Sequence, residues 1–566
     1  MTTPTYILGI HNSYDSGAAL FKNGVCIFAI NEERLSRVKM DDSFPNRSID
    51  ACLAFAGITE QDVDVVSYAW HSGFVEAQLP GYVARALEIA QEGPEAKRIM
   101  LERTAVEVER SAPRKKDFEK EMIKRGWQNK VEWFDHHAGH AATAFYPSPF
   151  TKALVITLDA AGNYRSGSVS VGDGAELKEL ACSYTWDSLG FFYGQITELL
   201  GFKPHRHEGK VTGLAAYGDP KKCLPIMQEM LTTKDGKLYG KIGKYYKPFF
   251  YQQTDALKEA LKGHSREDIA AAVQQHFEDV ITDYIRYWIE KTGVGTLALS
   301  GGAFANVKLN QRVRAIPGVV DQFVFPHMGD GGLSVGACLL SLARRGVRSA
   351  PWKHVYLGSE STETEIETAL QKYSQRISVE KLQPKDVAQR AVELLKQNKV
   401  LGLFQGRMEY GPRALGNRSI IYHAKDKTAN DWLNKRMHRT EFMPFAPVTT
   451  MELAPRCFKG WDPTHVTTRF MTECYDCTTE MKQNSPAVVH VDGTARPQII
   501  AREDNPLYFD IVDAWYRETG GLCLINTSFN EHEHPIVCTI EDALQSFLDD
   551  TVDYLIVQGH YVISHA

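Results

Sequence analysis

Apolar and polar positions alternate with a short period at the start of the chain. Apolar runs at residues 6–11, 17–21 and 25–30 are separated by polar residues, and Lys22-Asn-Gly24 has the composition of a hairpin turn. This pattern predicts three short strands joined by tight turns. A helical stretch is expected to follow from about residue 49 to residue 56.

The strand-turn-strand pattern returns further along the chain, so the same theme is predicted twice. The apolar run 153–158 predicts a buried strand, 167–171 a second one and 296–300 a third. Between the two blocks, residues 81–125 are charged and carry apolar side chains at helical spacing. We expect an inserted helical arm there, with its basic part at 110–125 as a solvated face.

The chain is too long for a single hydrophobic core, since it has 566 residues. The pattern weakens into Arg, Gly, Pro, Ser and Thr before a new series begins, in which 387–396 is predicted as a helix and 400–404 as a strand. The predicted division is an N-terminal domain at 1–345 with an insertion at about 81–125, a linker at 346–363 and a C-terminal domain at 364–566.

Composition is that of an ordinary globular protein, with 43% hydrophobic residues, 24% charged residues and a net charge of −6. This charge gives no general attraction to nucleic acid or to anionic membranes. Ten cysteines are scattered along the chain, which indicates free thiols in a reducing compartment. No apolar run approaches the length of about 18 residues that a membrane helix needs. We therefore expect a cytoplasmic protein that does not span a membrane.

Two histidines four residues apart are the strongest candidates for chemistry. His136 and His140 would project from one face of a helix, Asp159 follows the predicted strand 153–158, and Asp330 lies between glycines. Two imidazoles and two carboxylates suit iron, zinc or manganese. The alternative is a pair of ordinary histidines on a helix surface or in a core.

A loop in the C-terminal half brings three arginines within a short stretch. Arg407, Arg413 and Arg418 would repel one another unless an anion joins them, and a triphosphate is the simplest such anion. The alternative is a set of surface arginines paired with Glu409 and other local acids.

Glycines, hydroxyls and amides offer further contacts for phosphate. The turn at Ser300-Gly-Gly302 follows a predicted strand and can present backbone N–H groups, although a plain tight turn is equally consistent. Arg496 lies in another turn. The run Ile525-Asn-Thr-Ser-Phe-Asn530 places amides and hydroxyls at a strand end, where they can donate to phosphate or to a purine edge.

Taken together, these stretches resemble the NodU/CmcH family of O-carbamoyltransferases over nearly the whole chain. The resemblance depends on several long motifs that occur in the same order as in the family. They are Asp15-Ser-Gly-Ala-Ala-Leu20, Asn31-Glu-Glu-Arg34, the His136/His140 pair, the stretch from Glu208 to Gly218, Ser300-Gly-Gly302, the stretch from Gly406 to Ser419, Pro444-Phe-Ala-Pro447, the stretch from His490 to Arg496, and Asn526-Thr-Ser-Phe-Asn530.

The resemblance implies an α/β and α+β fold, with a two-lobed actin-like (ASKHA, ribonuclease-H-like) domain followed by a YrdC-like domain. The YrdC-like domain would make carbamoyladenylate from carbamoyl phosphate and ATP with Mg²⁺, and the actin-like domain would transfer the carbamoyl group to a hydroxyl. Iron is the metal implied for His136, His140, Asp159 and Asp330. A phosphate loop is implied at Ser300, Gly301, Gly302 and Asn306. The residues implied for ATP and carbamoyl phosphate are Arg407, Arg413, Arg418, Arg439, Met471, Arg496, Asn526, Ser528 and Asn530.

The chain departs from the family pattern at two places. The family opens with His-Asp where this chain has Tyr14-Asp15, and a neutral tyrosine is a poor base. Asp15 or His11 is the predicted base, with Tyr14 and Lys210 as further catalytic candidates. Before Pro444, Met437 and Met443 replace the two outer cations that flank Arg439, which weakens the expected contact with phosphate.

The acceptor is the least defined partner. Residues 234–251 interleave five lysines with six aromatic residues, which suits nucleic acid binding or a hairpin with a packed aromatic face. A hydroxyl on a small natural product or sugar is the first acceptor hypothesis, and 5-hydroxymethylcytosine in a nucleotide or DNA is the second. Two other classes stay open, a tRNA threonylcarbamoyl-type transferase and a non-catalytic nucleotide-binding protein. Homodimers are compatible with the sequence.

Overall fold

The protein is a mixed α/β structure that divides into two compact units. The computed structural model describes residues 5–70, 78–438 and 442–566. The first unit comprises Met1–Ile27 and Asp42–Trp352, and the second comprises Phe28–Asp41 and Lys353–Ala566. Residues 28–41 therefore group with the C-terminal half of the chain, although the predicted N-terminal domain included them.

The first sheet of the first unit begins with the predicted hairpin. β1 pairs antiparallel with β2 and parallel with β4, and β4 pairs parallel with β5, so the strand order is β3-β2-β1-β4-β5. The turn between β2 and β3 has positive φ angles at Asn23 and Gly24, as a two-residue hairpin requires. The strands are β1 (Tyr6–His11), β2 (Gly17–Lys22), β3 (Val25–Asn31), β4 (Val65–Tyr68) and β5 (Val131–Trp133).

A second sheet in the first unit repeats this topology. Its order is β12-β11-β6-β7-β8, in which β6 pairs antiparallel with β7 and parallel with β11, and β11 pairs parallel with β12. The duplication expected from the hydrophobic pattern is therefore present. The strands are β6 (Lys152–Gly162), β7 (Arg165–Asp173), β8 (Glu176–Tyr184), the separate hairpin β9 (Leu231–Lys234) and β10 (Lys237–Gly240), β11 (Thr296–Ser300) and β12 (Asp321–Val324).

Helices pack on the sheets of the first unit. The short helix α1 comes early in the chain but belongs to the second unit. The inserted arm consists of two helices, α3 and α4, at the predicted position. The helices are α1 (Glu32–Ser36, second unit), α2 (Asn46–Ala56), α3 (Leu79–Gln91), α4 (Pro94–Lys124), α5 (His136–Phe145), α6 (Leu189–Leu199), α7 (Glu208–Ala215), α8 (Leu224–Gln228), α9 (Asp255–Leu261), α10 (Arg266–Thr292), α11 (Val307–Arg314) and α12 (Leu333–Arg344).

The second unit is built on a mixed eight-stranded sheet in the order β13-β22-β21-β14-β15-β20-β16-β19, with β17 and β18 forming a separate pair. The strands are β13 (Ile377–Lys381), β14 (Leu401–Phe404), β15 (Arg418–His423), β16 (Ala446–Thr450), β17 (Tyr475–Asp476), β18 (Thr494–Ala495), β19 (Gln498–Ile500), β20 (Leu524–Ser528), β21 (Tyr554–Val557) and β22 (Tyr561–His565). The helices are α13 (Glu363–Lys372), α14 (Pro384–Lys396), α15 (Ala429–Arg436), α16 (Ala454–Cys457), α17 (Thr479–Asn484), α18 (Pro506–Thr519) and α19 (Ile540–Leu548).

Both faces of this sheet are buried. Along β14, Leu401 and Leu403 belong to one apolar cluster, which also contains side chains of α14 and α18, whereas Phe404 belongs to the other. This alternation follows from the two-residue period of a strand. The predicted helix 387–396 and strand 400–404 are confirmed within α14 and β14. Among the described residues, none of the helices is both long and apolar enough to cross a membrane.

Close packing of β1 on α12 generates a stability prediction. A Cβ atom added at Gly9 would lie 1.8 Å from the backbone oxygen of Ser334 and 2.7 Å from Cys338 Sγ. We expect Gly9→Ala to destabilise the protein by about 1–3 kcal/mol, because an overpacked core must shift its backbone. Thermal unfolding followed by circular dichroism would measure this loss.

The matched control is Gly209→Ala, because a Cβ atom there has no neighbour within 4 Å and the residue lies in α7. We expect an unchanged or slightly raised unfolding midpoint for this control, since alanine favours helix by about 1 kcal/mol over glycine. A Gly9→Ala protein as stable as wild type would contradict the packing argument.

Candidate functional site

The four predicted metal ligands converge at the ends of elements in the first unit. His136 and His140 lie on α5, Asp159 lies in β6, and Asp330 begins the turn that leads into α12. The Nε2 atoms of the two histidines are 3.1 Å apart. His136 Nε2 lies 3.2 Å from Asp159 Oδ2, and His140 Nε2 lies 3.3 Å from Asp330 Oδ1. One donor atom from each residue falls within a span of 4.8 Å, so the cluster could hold a metal ion.

The electrostatics of this cluster favour a cation. Burial, followed by the charge of Asp159, raises the pKa of the Asp330 carboxyl. Burial would lower the pKa of His140, but hydrogen bonds and charges from both aspartates outweigh it and raise the pKa to about 9. Two partly buried carboxylates this close together are costly unless positive charge joins them. Two imidazole nitrogens and two carboxylate oxygens fit a divalent iron, manganese or zinc ion.

The turn after β11 supports this cluster. Ser300 Oγ lies 3.5 Å from His140 Nδ1 and donates to the Met328 carbonyl at 3.1 Å. A Cβ at Gly302 would lie 3.2 Å from Asp159 Oδ1, so the backbone of the predicted phosphate loop adjoins a metal ligand. Asn306 caps α11, because its Oδ1 accepts from the backbone N–H of Leu309 at 3.0 Å. The side-chain oxygen of Asn306 is therefore the N-terminal cap of α11.

The predicted catalytic residues lie at the end of β1, in the loop that follows it and on α7. His11 is buried, its Nε2 lies 3.3 Å from the Tyr14 carbonyl oxygen, and burial keeps its pKa well below the usual value. Burial also raises the pKa of the Tyr14 hydroxyl. Lys210 is buried on α7. Asp15 adopts a positive φ of 59°.

A residue that sequence reasoning missed accompanies Asp15. His327 Nε2 lies 3.5 Å from Asp15 Oδ2, and both side chains are largely buried. A Cβ at Gly331 would lie 2.4 Å from Asp15 Oδ2 and 2.4 Å from the His327 ring, so this pair adjoins the residue that follows Asp330. The available sequence signal was a histidine three positions before a predicted ligand.

Two further groups near these elements were not predicted. Burial raises the pKa of Glu208 to about 7, and its Oε1 accepts from the His205 N–H at 2.7 Å. The Arg114 guanidinium lies 5.1 Å from the Trp70 ring centroid, and the Trp70 ring contacts His136 edge-on at 4.6 Å. The interpretation of 110–125 as a solvated face is therefore wrong for Arg114, because the helical arm packs it on an aromatic ring beside the cluster.

Buried contacts organise the arginine-rich loop of the second unit. Glu409 Oε1 accepts from the backbone N–H groups of Leu415, Asn417 and Arg418 at 2.6, 2.8 and 3.3 Å. Arg418 is fully buried and donates to the carbonyls of Gln405 and Asn417 at 2.8 and 2.9 Å.

Arg407 donates to the carbonyls of Leu357 and Gly358. Backbone oxygens thus bind the guanidiniums of Arg407 and Arg418, and the role of these arginines in binding ATP or carbamoyl phosphate stays a prediction. Arg413 is half-buried on the same loop. The carboxylate of Glu409, the alternative partner for these arginines, accepts hydrogen bonds from the backbone N–H groups of the loop.

The remaining residues predicted for ATP and carbamoyl phosphate lie near this loop or at strand ends. Asn526 donates to the Ala414 carbonyl at 3.1 Å, and Ser528 pairs in register with Ser419. Asn530 donates to the carbonyls of Glu531 and His534. Arg496 is half-buried after β18, and Met471 is buried with a φ of 55°. Arg439 lies outside the described residues.

The departure at Met437 has a structural explanation. Its side chain is fully buried and belongs to the apolar core of the second unit. A cation there would be buried among apolar groups, which is costly unless it is paired.

The segment with interleaved lysines and aromatics contains a hairpin, β9 and β10. Tyr246 is fully buried and donates to the Ser188 carbonyl at 2.9 Å, and Phe249 and Phe250 are also buried. Tyr251 is 65% exposed. The packed-face interpretation therefore holds for these three rings, which are not available for stacking on bases.

A duplicated α/β unit with a His₂Asp₂ cluster, together with a second α/β unit that carries an arginine-rich loop, defines a two-unit protein with one metal-type centre. The chain belongs to the carbamoyltransferase family. A family model described as carbamoyltransferase N-terminus matches residues 6–339, and one described as carbamoyltransferase C-terminus matches residues 392–564. The resemblance seen in the motifs is thus confirmed, and the protein is a carbamoyltransferase.

Relatives agree with this assignment. Nodulation protein NolNO of Sinorhizobium fredii is 32% identical over 556 residues, which cover 97% of this chain and 79% of that protein. Nodulation protein NolO of Bradyrhizobium diazoefficiens is 32% identical over 429 residues, covering 75% and 77%. Among solved structures, T. kodakarensis HypF aligns over 61% of this chain and 48% of that chain, with 13% identity and a TM-score of 0.33.

Metal content tests the cluster directly. We expect wild type to bind a divalent metal stoichiometrically, and His136→Ala or Asp330→Asn to weaken binding by about 100-fold or more, because each removes a donor atom. Equilibrium dialysis with Fe²⁺, Mn²⁺ and Zn²⁺, followed by elemental analysis, would measure the affinities.

His137→Gln is the matched control, because His137 is buried on the same helix but its Nδ1 lies 2.9 Å from Thr157 Oγ1. This variant should keep wild-type metal content. Wild-type affinity in both ligand variants would contradict the assignment of the cluster.

Proposed function

We propose that this protein is an ATP-dependent O-carbamoyltransferase with two separate reaction sites. The second unit makes carbamoyladenylate from carbamoyl phosphate and ATP, and the first transfers the carbamoyl group to an acceptor hydroxyl. The observation that carries the proposal is the convergence of His136, His140, Asp159 and Asp330 in a chain of the carbamoyltransferase family.

The two repeated sheets support an actin-like fold for the first unit. Each sheet has an antiparallel three-stranded part followed by two parallel strands, and the repeated order is the one a ribonuclease-H-like duplication requires. In such α/β units, ligands bind at the carboxyl ends of the parallel strands. Asp159 and the Ser300-Gly302 turn occupy such ends of β6 and β11. A YrdC-like assignment for the second unit stays a prediction.

Activation of carbamate is the task proposed for the second unit. Carbamoyl phosphate first loses its phosphate to water and yields carbamate. A carbamate oxygen then attacks the α-phosphorus of ATP, so that a new P–O bond forms while the bond to pyrophosphate breaks. Negative charge develops on the phosphoryl oxygens and on pyrophosphate, and Mg²⁺ together with Arg413 and Arg496 would stabilise it.

Transfer is the task proposed for the first unit. The acceptor oxygen attacks the carbamoyl carbon, the bond from that carbon to AMP breaks, and the hydroxyl proton passes to a base. Asp15 is the proposed base, with His327 holding its carboxylate. Such proton transfer contributes about two to four orders of magnitude. A divalent ion on His136, His140, Asp159 and Asp330 would supply positive charge for the carbonyl or the departing phosphate.

A hydroxyl on a small natural product or sugar is the proposed acceptor. The burial of Tyr246, Phe249 and Phe250 disfavours the alternative, 5-hydroxymethylcytosine in DNA, because these rings cannot stack on bases. A tRNA threonylcarbamoyl-type activity would require threonine and bicarbonate. Carbamoyl transfer that continues when both compounds are omitted would exclude it. If the protein bound DNA and this binding weakened steeply with added salt, a nucleic acid acceptor would be favoured instead.

Pyrophosphate release from ATP tests the proposed activity. We expect release that depends on carbamoyl phosphate, followed by AMP formation when a hydroxyl acceptor is added. A coupled pyrophosphate assay and a chromatographic AMP assay would measure the two steps. Wild-type protein that releases no pyrophosphate with carbamoyl phosphate would contradict the proposal.

Variants should separate the two sites. We expect His136→Ala to keep pyrophosphate release within about twofold while losing transfer by about 100-fold or more, because it removes a metal ligand from the first site only. Arg413→Ala should lower pyrophosphate release itself. Equal loss of both steps in His136→Ala would indicate one shared site and overturn the division of labour.

A further inference from the structure

Residues 28–41 come from the N-terminal part of the chain but belong to the second unit. They contain the end of β3, the short helix α1 and the turn after it. The motif Asn31-Glu-Glu-Arg34 within this segment is at most 5% exposed at each residue. Buried charged groups have to be paired, and the partners of this segment are therefore informative.

Arg34 binds the backbone of the arginine-rich loop. Its Nη2 atom donates to the Gly411 carbonyl at 2.9 Å, and its Nη1 atom lies 2.9 Å from Glu33 Oε1. Gly411 stands two residues before Arg413, which is the half-buried arginine proposed to contact substrate. Arg34 thus fixes the backbone from which the Arg413 side chain projects.

Arg37 binds a second loop. It ends α1 with a φ of 62°, and its guanidinium donates to the carbonyls of Pro535 at 2.9 Å and Ile536 at 2.7 Å. Its Nε atom also lies 3.5 Å from Asp542 Oδ1. At the other end of this loop, the Asn530 amide donates to the His534 carbonyl at 3.0 Å. Arg37 and Asn530 together hold the loop in one shape.

The segment also contacts the base of the arginine-rich loop. The Ala29 N–H donates to the Leu357 carbonyl at 3.0 Å, and Arg407 donates to the same carbonyl. The Arg407 guanidinium lies 5.7 Å from the Phe28 ring centroid. Residues 28–37 thus contact both loops that carry predicted substrate residues. They also contact Leu357, which precedes α13.

Glu33 holds the segment itself together. Its Oε2 accepts from the Met40 N–H at 2.8 Å, and its Oε1 lies 3.2 Å from Lys39 Nζ. Burial would raise the pKa of Glu33, but Arg34 and Lys39 lower it to about 2. The carboxylate therefore stays charged and serves as a counterion to Arg34.

We propose that residues 28–41 help to form the site for ATP and carbamoyl phosphate. Arg34 positions the arginine-rich loop that carries Arg413, and Arg37 positions the loop that begins at Asn530. The inference rests on the proposed function of the second unit. Charge-assisted hydrogen bonds to backbone carbonyls hold both loops before substrate binds, which reduces the ordering cost at binding. A displacement of about 1 Å at such a site can cost roughly 100-fold in rate.

Substrate kinetics of the full-length protein test the inference. We expect Arg34→Ala and Arg37→Ala each to raise the KM for ATP or for carbamoyl phosphate by about tenfold or more in the pyrophosphate release assay, because the loops lose their preformed shape. Arg34→Lys should fall between wild type and Arg34→Ala, since lysine keeps the charge beside Glu33 but lacks the guanidinium fork.

Arg390→Ala is the control for Arg37→Ala. The two side chains are similarly exposed, at 30% and 34%, and Arg390 forms ion pairs with Glu380 and Glu393 on the same unit. Its KM values should stay within about twofold of wild type, as for a surface ion pair with no positioning role. Thermal midpoints of all variants would show how much stability each loses.

Three outcomes distinguish the alternatives. Raised KM values in the Arg34 and Arg37 variants, at midpoints comparable with Arg390→Ala, would support positioning. Wild-type KM values in Arg37→Ala and Arg34→Lys would overturn the inference, and so would a lower thermal midpoint without a change in KM. The segment would then have only a structural role. Wild-type protein without any pyrophosphate release would instead refute the proposed function on which the inference rests.

Discussion

Two partly buried aspartates held against two buried histidines are the constraint around which the first unit is arranged. Asp159 and Asp330 come from β6 and from the turn before α12, and their charges repel unless a cation or protons join them. Ser300 adjoins His140, and the backbone at Gly302 adjoins Asp159, so neighbouring elements hold the donors in place. A duplicated sheet supplies these positions because its strand ends deliver several loops to one edge.

The second unit contains several buried or partly buried guanidiniums that contact backbone oxygen atoms. Backbone carbonyls accept hydrogen bonds from Arg418, Arg407, Arg34 and Arg37, and the last two also lie beside the carboxylates of Glu33 and Asp542. Arg413, which the proposal assigns to substrate binding, is half-buried on the arginine-rich loop. The proposal of two distinct reaction steps rests on a metal-type cluster in the first unit and an arginine-rich loop in the second.

Local sequence patterns predicted what depends on neighbouring residues. The hairpin at Lys22-Asn-Gly24 follows from turn chemistry, and the approach of His136 to His140 follows from helical spacing. Asp159 was predicted as a further ligand from its place after an apolar strand, and Asp330 from the glycines on either side of it. Other features depend on long-range contacts that no local pattern encodes. The hydrogen bond from Arg407 to the Leu357 carbonyl, the approach of His327 to Asp15 and the packing of Arg114 on Trp70 all join distant parts of the chain. For the same reason, the grouping of residues 28–41 with the second unit was not predicted.

The central claim is that an adenylate links the two units. The most direct measurement is mass spectrometry of acid-quenched reactions that contain protein, ATP, Mg²⁺ and carbamoyl phosphate but no acceptor. The account predicts a species with the mass of carbamoyladenylate that accumulates without acceptor and disappears when a hydroxyl acceptor is added. Carbamoylated acceptor formed without any such species, or formed equally well without ATP, would contradict it.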